Sequence, residues 1–173
     1  MLVMPLRRYI PAALAALLLS GCAGYHLGPV KPYYLHDVHS IAVPTFKNNT
    51  LMPRVEVLVT DSVIKQLQQD GTFRVASGSG DPDATLHAEI LRIGRSPARS
   101  VRGNVLATTE FNLTLLVRYS LVGRKKEPLA GGDVTGTTSF FVSGDVTTDE
   151  RQALPLAAEQ AAQSLVSQIS EGW

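Results

Sequence analysis

An α+β fold, with two helices packed on one face of a mixed, mainly antiparallel sheet of four to five strands, is predicted by three features of the sequence. The order strand, helix, strand near residue 40 indicates a parallel βαβ unit, expected to be right-handed. Three longer β-rich segments then follow without an intervening helix, and an amphipathic helix ends the chain. Helices that cover one face of such a sheet bury the apolar side of every element.

The parallel unit is predicted between residues 40 and 76. Residues 40–46 (SIAVPTF) form a short β-rich run, and turn residues follow at 47–50. A helix is expected next, with Pro53 in its first turn and Gly71 at its end. Its apolar positions recur at i, i+3 and i+4 spacing and are Val55, Leu58, Val59, Val63 and Leu67. Residues 73–76 then begin the second strand.

Three longer strands are predicted between residues 83 and 142. In segment 83–99 the apolar alternation changes phase after Ile90, which indicates a bulge or a bend. Segment 109–122 alternates most regularly and predicts a strand with one face on the core. Its inward side chains are Phe111, Leu113, Leu115, Val117, Tyr119 and Leu121. A charged hairpin tip within 123–132 leads to the last strand, 133–142, whose outer positions are mainly Thr and Gly.

The C-terminal segment predicts an amphipathic helix that packs closely on the sheet. Asp149 is the expected cap of its first turn. The apolar stripe of this helix is Leu154, Ala157, Ala158, Ala161, Leu165 and Ile169. Because alanine side chains are small, the helix axis can approach the sheet closely along this stripe. We expect this helix and the first one to cover the same face.

The first 22 residues resemble the signal of a bacterial lipoprotein. Arg7 and Arg8 precede a short apolar block at 10–19, which falls short of the roughly 20 residues that span a bilayer. Residues 19–22 (LSGC) resemble a lipobox, so Cys22 is predicted to become the first mature residue and to carry a diacylglycerol and an N-acyl chain. Several acyl chains anchor a protein stably. The alternatives are a transmembrane anchor, or an ordinary cleaved signal that leaves Cys22 as a thiol.

Three regions follow from this interpretation: a signal peptide at 1–21, a lipidated N-terminus and tether at 22–38, and a single domain at 39–173. Without residues 1–21 the chain has 152 residues, with 14 Lys and Arg against 15 Asp and Glu. That length suits one domain with its own core. The nearly neutral charge argues against a nucleic-acid-binding protein, which would present a strongly basic face.

No motif in the sequence supports an enzyme. The four histidines do not stand with acids or cysteine at zinc-ligand spacing. The glycine–serine segment 77–80 precedes a strand rather than the helix that a nucleophile elbow requires. We therefore expect no catalytic residue, no metal and no cofactor apart from the covalent lipid.

Two basic groups are candidates for binding phosphate, because guanidinium and ammonium groups pair with it. Arginines 92, 95, 99 and 102 lie along and beyond the third strand. Arg124, Lys125 and Lys126 lie at the hairpin tip. Solvated surface charge is the simpler interpretation of both groups.

A series of short segments, taken in order, resembles the LPS-assembly lipoprotein family LptE. The segments are CAGYHLG at 22–28, IAVPTFKNNT at 41–50, PRVEVLVT at 53–60, DGTFRV at 70–75 and DATLHAEI at 83–90. The resemblance covers nearly the whole mature chain. It implies two helices on a mainly four-stranded sheet, which agrees with the architecture predicted from the residues.

The resemblance also implies a function. Family members plug the LptD β-barrel of the outer membrane, help to assemble it, and contact lipopolysaccharide during its delivery to the cell surface. The implied location is the periplasmic side of the outer membrane, which Ala23 fits, since it is not the aspartate that retains lipoproteins in the inner membrane. The candidate lipopolysaccharide contacts are Arg92, Arg95, Arg124, Lys125 and Lys126. A structural or secretion-channel lipoprotein subunit that forms a homo-oligomer is the alternative function.

Overall fold

The computed structural model describes residues 31–76, 80–101, 104–142 and 144–172. Within these residues a 3₁₀ turn and two short strands precede a helix, four further strands and a final helix. The bounds are Tyr33–Leu35 for the 3₁₀ turn, Ser40–Ala42 for β1, Lys47–Asn48 for β2, Val55–Asp70 for α1, Arg74–Val75 for β3, Ala84–Val101 for β4, Asn104–Gly123 for β5, Pro128–Phe141 for β6 and Val146–Glu171 for α2.

The described strands form one mixed sheet in the order β3-β1-β4-β5-β6, with β2 also paired to β4. β1 lies parallel to β3 and β4, and β2 lies parallel to β4. β4, β5 and β6 form an antiparallel meander that contains most of the paired residues. The predicted α+β class is confirmed. The sheet has six described strands rather than four to five because residues 47 and 48, predicted as a turn, pair with Glu89 and Ile90.

α1 joins the parallel strands β1 and β3, as the order of the segments predicts. It begins at Val55 rather than at Pro53, because Arg54 is the N-cap and has a left-handed backbone with φ of 66°. Gly71 ends the helix with φ of 73°, and its N–H donates to the carbonyl of Leu67 at 3.1 Å. Glycine adopts this left-handed conformation without a steric penalty, which is why it commonly ends helices.

β5 has one face on the core and one face away from it, as its alternation predicts. Five of its six predicted inward side chains are buried, and Phe111 is half-buried. Leu115 is fully buried, while Arg118 and Ser120 on the other face are exposed. Successive strand residues point to opposite faces, so the buried set defines the side on which the helices lie.

β4 contains the bulge that its change of phase predicts. Ile90 pairs with Val117 and Arg92 pairs with Leu116, which leaves Leu91 as an extra residue. A bulge shifts the phase of the residues that follow it. Arg92 therefore lies on the same face as Leu116, away from the helices, whereas Arg95 lies opposite Leu113 on the helix side.

α2 begins earlier than predicted, because Asp145 and not Asp149 is its N-cap. The Asp145 carboxylate accepts hydrogen bonds from the Thr147 N–H at 3.0 Å and the Thr148 hydroxyl at 2.6 Å. Hydrogen bonds from Thr148 and then Thr147 lower the pKa of Asp145. The predicted apolar stripe is confirmed, since all six of its residues are buried.

Candidate functional site

The two predicted basic groups lie apart along the long strands. Gly123, next to the hairpin tip, pairs with Ala84, whereas Leu116 pairs with Arg92. Seven strand residues separate these two rungs, a distance of roughly 23 Å. One compact phosphate site therefore does not contain both groups. Cys22 and Arg102 lie outside the described residues, and so does the side chain of Arg99.

Arg124 at the hairpin tip is held by acids of its own chain. Its Nη2 lies 2.9 Å from Oδ1 of Asp83, and its Nε lies 3.2 Å from Oδ2 of Asp81. Lys125 and Lys126 are exposed, and neither side chain has an ion-pair partner among the described residues. The two lysines therefore carry the available positive charge of the tip.

Asp83 fixes this tip to the start of β1. One carboxylate oxygen, Oδ2, accepts hydrogen bonds from the His39 N–H at 3.0 Å, the Ser40 N–H at 2.9 Å and the Ser40 hydroxyl at 2.9 Å. The His39 N–H is the largest cause that lowers the pKa of Asp83, and Arg124 contributes to the same shift. A carboxylate that accepts several hydrogen bonds stays ionised, so Arg124 has a permanent partner.

Arg95 points to the helix side and is also paired. Its Nη1 lies 2.9 Å from Oε2 of Glu150 in the first turns of α2, and its guanidinium carbon lies 5.2 Å from the centre of the Phe111 ring. This pair joins β4 to α2. An incoming phosphate would have to compete with the Glu150 carboxylate for Arg95.

Arg92 lines a cleft at the bulge of β4. The cleft has a volume of about 490 Å³, which lies in the range of small-molecule sites. It lies between the loop before α1, the bulge and the start of α2. Its lining residues are Asn49, Thr50, Leu51, Met52, Pro53, Leu91, Arg92, Ile93, Thr147, Glu150 and Arg151.

The lining of this cleft combines apolar and basic side chains. Leu51 is fully exposed, and Leu91 and Ile93 are half-buried. Arg92 and Arg151 are exposed, and Arg92 has no ion-pair partner among the described residues. Arg151 was not predicted, because it is brought to Arg92 only by the fold: it is 59 positions later in the chain. The arrangement suits a ligand that has both an anionic group and an apolar chain.

A second candidate surface is the side of β4, β5 and β6 that the helices do not cover, here called the open face. The side chains across it are mainly polar. Arg118 and Asp133 form a double hydrogen bond, with Nε–Oδ1 at 2.8 Å and Nη2–Oδ2 at 2.9 Å. Its hydroxyl and amide residues are Asn112, Thr114, Thr135, Thr137 and Ser139. A surface of this kind favours a polar partner over an apolar one.

The described residues contain no group of three His, Cys, Asp or Glu side chains that could hold a metal ion. In the same part of the chain, neither helix is long and apolar enough to cross a membrane. The chemistry on the page is therefore that of binding surfaces: the cleft, the open face and the hairpin tip.

Comparisons with known proteins identify a family and a fold. A family model described as LptE, lipopolysaccharide-assembly, matches residues 38–169. No curated protein matches the sequence. Similar folds occur in three solved structures, and at these identities the likeness shows the fold alone. A Xanthomonas campestris protein is 16% identical with a TM-score of 0.55, over 84% of this chain and 90% of that one.

The other two similar structures are those of named proteins. The PelC dodecamer of Paraburkholderia phytofirmans is 14% identical with a TM-score of 0.52, over 83% of this chain and 95% of that one. A minor lipoprotein of Acinetobacter baumannii is 15% identical with a TM-score of 0.51, over 79% of this chain and 95% of that one.

Proposed function

The chain belongs to the LptE lipopolysaccharide-assembly family, and we propose that it is an outer-membrane lipoprotein that plugs and helps to assemble an LptD-like β-barrel. The family match carries this proposal, because it spans nearly the whole predicted domain. Acyl chains on Cys22 would hold the protein on the periplasmic side of the membrane. The role is one of binding and assembly rather than of catalysis, as the sequence predicts.

The open face supports the role of a plug. The lumen of an outer-membrane barrel is polar, so a plug needs a surface that forms hydrogen bonds. Thr135, Thr137 and Ser139 are exposed on this face. The Arg118–Asp133 pair adds charged groups that neutralise each other. These side chains would lose little on contact with polar lumen residues, because hydrogen bonds with water would be replaced by hydrogen bonds with protein.

We propose Arg92 as the principal lipopolysaccharide contact. The lipid portion of that ligand carries phosphates and acyl chains, and the Arg92 cleft offers a guanidinium beside Leu91 and Ile93. Lys125 and Lys126 remain candidates, since both are exposed and have no ion-pair partner among the described residues. Arg95 and Arg124 are weaker candidates because each already pairs with a carboxylate.

Purification of the acylated protein from its native membrane tests the plug proposal. We expect it to copurify with one LptD-like outer-membrane barrel in a 1:1 complex, and to be a monomer after that complex is dissociated. A homo-oligomeric ring with no barrel would contradict the proposal. It would instead support the second candidate, a secretion-channel subunit, which the fold shared with the PelC dodecamer makes worth testing.

The proposed anchor has its own test. Mass spectrometry of the mature protein should show a diacylglycerol and an N-acyl chain on Cys22. Cys22→Ala should abolish acylation and leave unprocessed precursor. An unmodified thiol at Cys22 in the mature wild-type protein would show that the anchor is wrong.

A titration with lipopolysaccharide tests the proposed contact. Arg92→Glu should weaken binding, and the wild-type affinity should fall as salt screens the charges. Arg74→Glu is the matched control, because Arg74 is an exposed arginine on β3 that does not line the cleft. Equal losses in both variants would mean that only net charge matters and that the cleft is not the site.

A further inference from the structure

We propose that one end of the domain rests on the phospholipid surface of the membrane that holds the lipid anchor. This surface, here called the anchor end, consists of Tyr33, Tyr34, Lys125 and Lys126. The proposal depends on the acylation of Cys22 included in the proposed function. It concerns the orientation of the protein on the bilayer and not the binding of lipopolysaccharide.

Three separate segments of the chain meet at the anchor end. The Tyr34 hydroxyl and the Pro32 ring lie next to Gly172, the residue after α2: a methyl group at residue 172 would lie 2.9 Å from Pro32 Cγ and 3.6 Å from the Tyr34 hydroxyl. Tyr34 also lines a shallow cleft together with Arg124 and Lys125 of the hairpin tip. The start of the described chain, its end and the hairpin tip are therefore neighbours.

The covalent chain brings this end of the domain to the anchor. Lys31 is nine residues after Cys22, and nine residues reach at most about 30 Å when fully extended. α2 has 26 residues, which corresponds to a length of about 39 Å. Its first turn, with the Arg92 cleft beside it, therefore lies far from the point at which the tether enters the domain.

The side chains of the anchor end are those that favour a lipid interface. Tyr33 is 96% exposed and Tyr34 is 55% exposed, although tyrosine rings have large apolar surfaces. Tyrosines concentrate at membrane–water interfaces, because the ring enters the apolar side while the hydroxyl stays hydrated. Lysine side chains lie beside them in the same way, with the apolar stem in the interface and the ammonium group in water.

The charge of this end indicates what drives the contact. Arg124 is paired with Asp81 and Asp83, and the basic residues of these segments are matched by acids. The basic set is Lys31, Arg124, Lys125 and Lys126, and the acidic set is Asp37, Asp81, Asp83, Glu127 and Glu171. Without a net positive charge, the contact depends on the tyrosines and on the anchor. We therefore expect it on uncharged phosphatidylcholine vesicles, with little effect of salt.

Single-cysteine labelling of the acylated protein tests this orientation. Cys22 is the only native cysteine, and its acylation leaves Tyr33→Cys or Phe141→Cys as the one labelling site. Phe141 is the matched control, because it is a 64% exposed aromatic residue at the far end of β6. An environment-sensitive fluorophore on each variant is measured in phosphatidylcholine vesicles with brominated acyl chains and no lipopolysaccharide.

The label at residue 33 should be quenched several-fold more than the label at residue 141. In the Tyr33→Cys protein, Tyr34→Ser combined with Lys125→Ala and Lys126→Ala should reduce that quenching. Equal quenching at the two sites, or quenching only when lipopolysaccharide is added, would overturn the proposal. If the label at residue 33 is unquenched while the barrel still copurifies, this inference fails and the proposed function stands. An unacylated Cys22 would overturn both.

Discussion

Replacing Gly136 with alanine would place a methyl group inside the interface between β6 and α2. Gly136 is buried on the helix side of β6, opposite the alanine stripe of α2. A Cβ built on Gly136 would fall on the carbonyl oxygen of Ala157, and would lie 2.7 Å from the Ala161 nitrogen and 2.9 Å from the Ala161 Cβ. Two of these three atoms belong to the helix backbone, so no side-chain rotation can relieve the overlap.

The magnitude follows from what must move. α2 has to separate from β6 along part of its length, and this loosens the packing of Ala157 and Ala161, both of which are buried. Overpacking usually costs 1–3 kcal/mol and occasionally more, so we expect Gly136→Ala to lower the free energy of unfolding by about 3 kcal/mol or more. With a urea m-value of about 2 kcal/mol/M, the midpoint would fall by about 1.5 M.

Urea unfolding followed by circular dichroism measures this effect, and Gly94→Ala is its control. Gly94 lies on β4 in the same sheet, but a Cβ added there meets nothing within 4 Å. Gly94→Ala should change the free energy of unfolding by no more than about 0.5 kcal/mol. If both variants unfold at the wild-type midpoint, the close contact between β6 and α2 is not present in solution.

Two further predictions concern stability. Leu115 is fully buried, so Leu115→Ala should cost about 2–5 kcal/mol, while Thr114→Ala on the open face should cost little; equal losses in urea unfolding would contradict the assigned faces. The folded-state pKa of Asp83 is lowered, so its contribution is present above the ordinary pKa near 3.8 and is lost as pH falls through the lower folded value. Asp83→Asn should therefore be less stable than wild type at pH 7, and the difference between their urea midpoints should shrink in acid; a constant difference would show that the charge of Asp83 is not responsible.

The elements that were predicted correctly are those whose periodicity is set by burial. The alternation of β5 follows from its contact with the core on one side only, and the stripe of α2 follows from contact on one helix face. The bulge at Leu91 was visible for the same reason, since a change of phase in the apolar residues requires a change in the strand. Burial acts on each residue locally, so its pattern is readable along the chain.

The elements that were predicted wrongly depend on single local interactions. The cap of α2 was assigned to Asp149, while Asp145 is the residue whose carboxylate reaches the N–H of Thr147. Both aspartates precede the same apolar stripe, and the sequence alone does not show at which one the helix begins. Residues 47 and 48 were predicted as a turn, yet they form β2 because β4 supplies hydrogen-bonding groups beside them.

The basic candidates show why a charged site is harder to predict than a core. The acid that pairs with Arg95 is 55 positions away, and the acid that pairs with Arg124 is 41 positions away. In the sequence these arginines look equivalent to Arg92, because a cluster of like charges gives no sign of distant partners. The fold separates them: two arginines serve to hold segments together, and Arg92 remains available beside an apolar cleft. A partner or ligand that needs positive charge is therefore expected to find it at Arg92 and at the hairpin lysines, and not at the residues that the sequence groups with them.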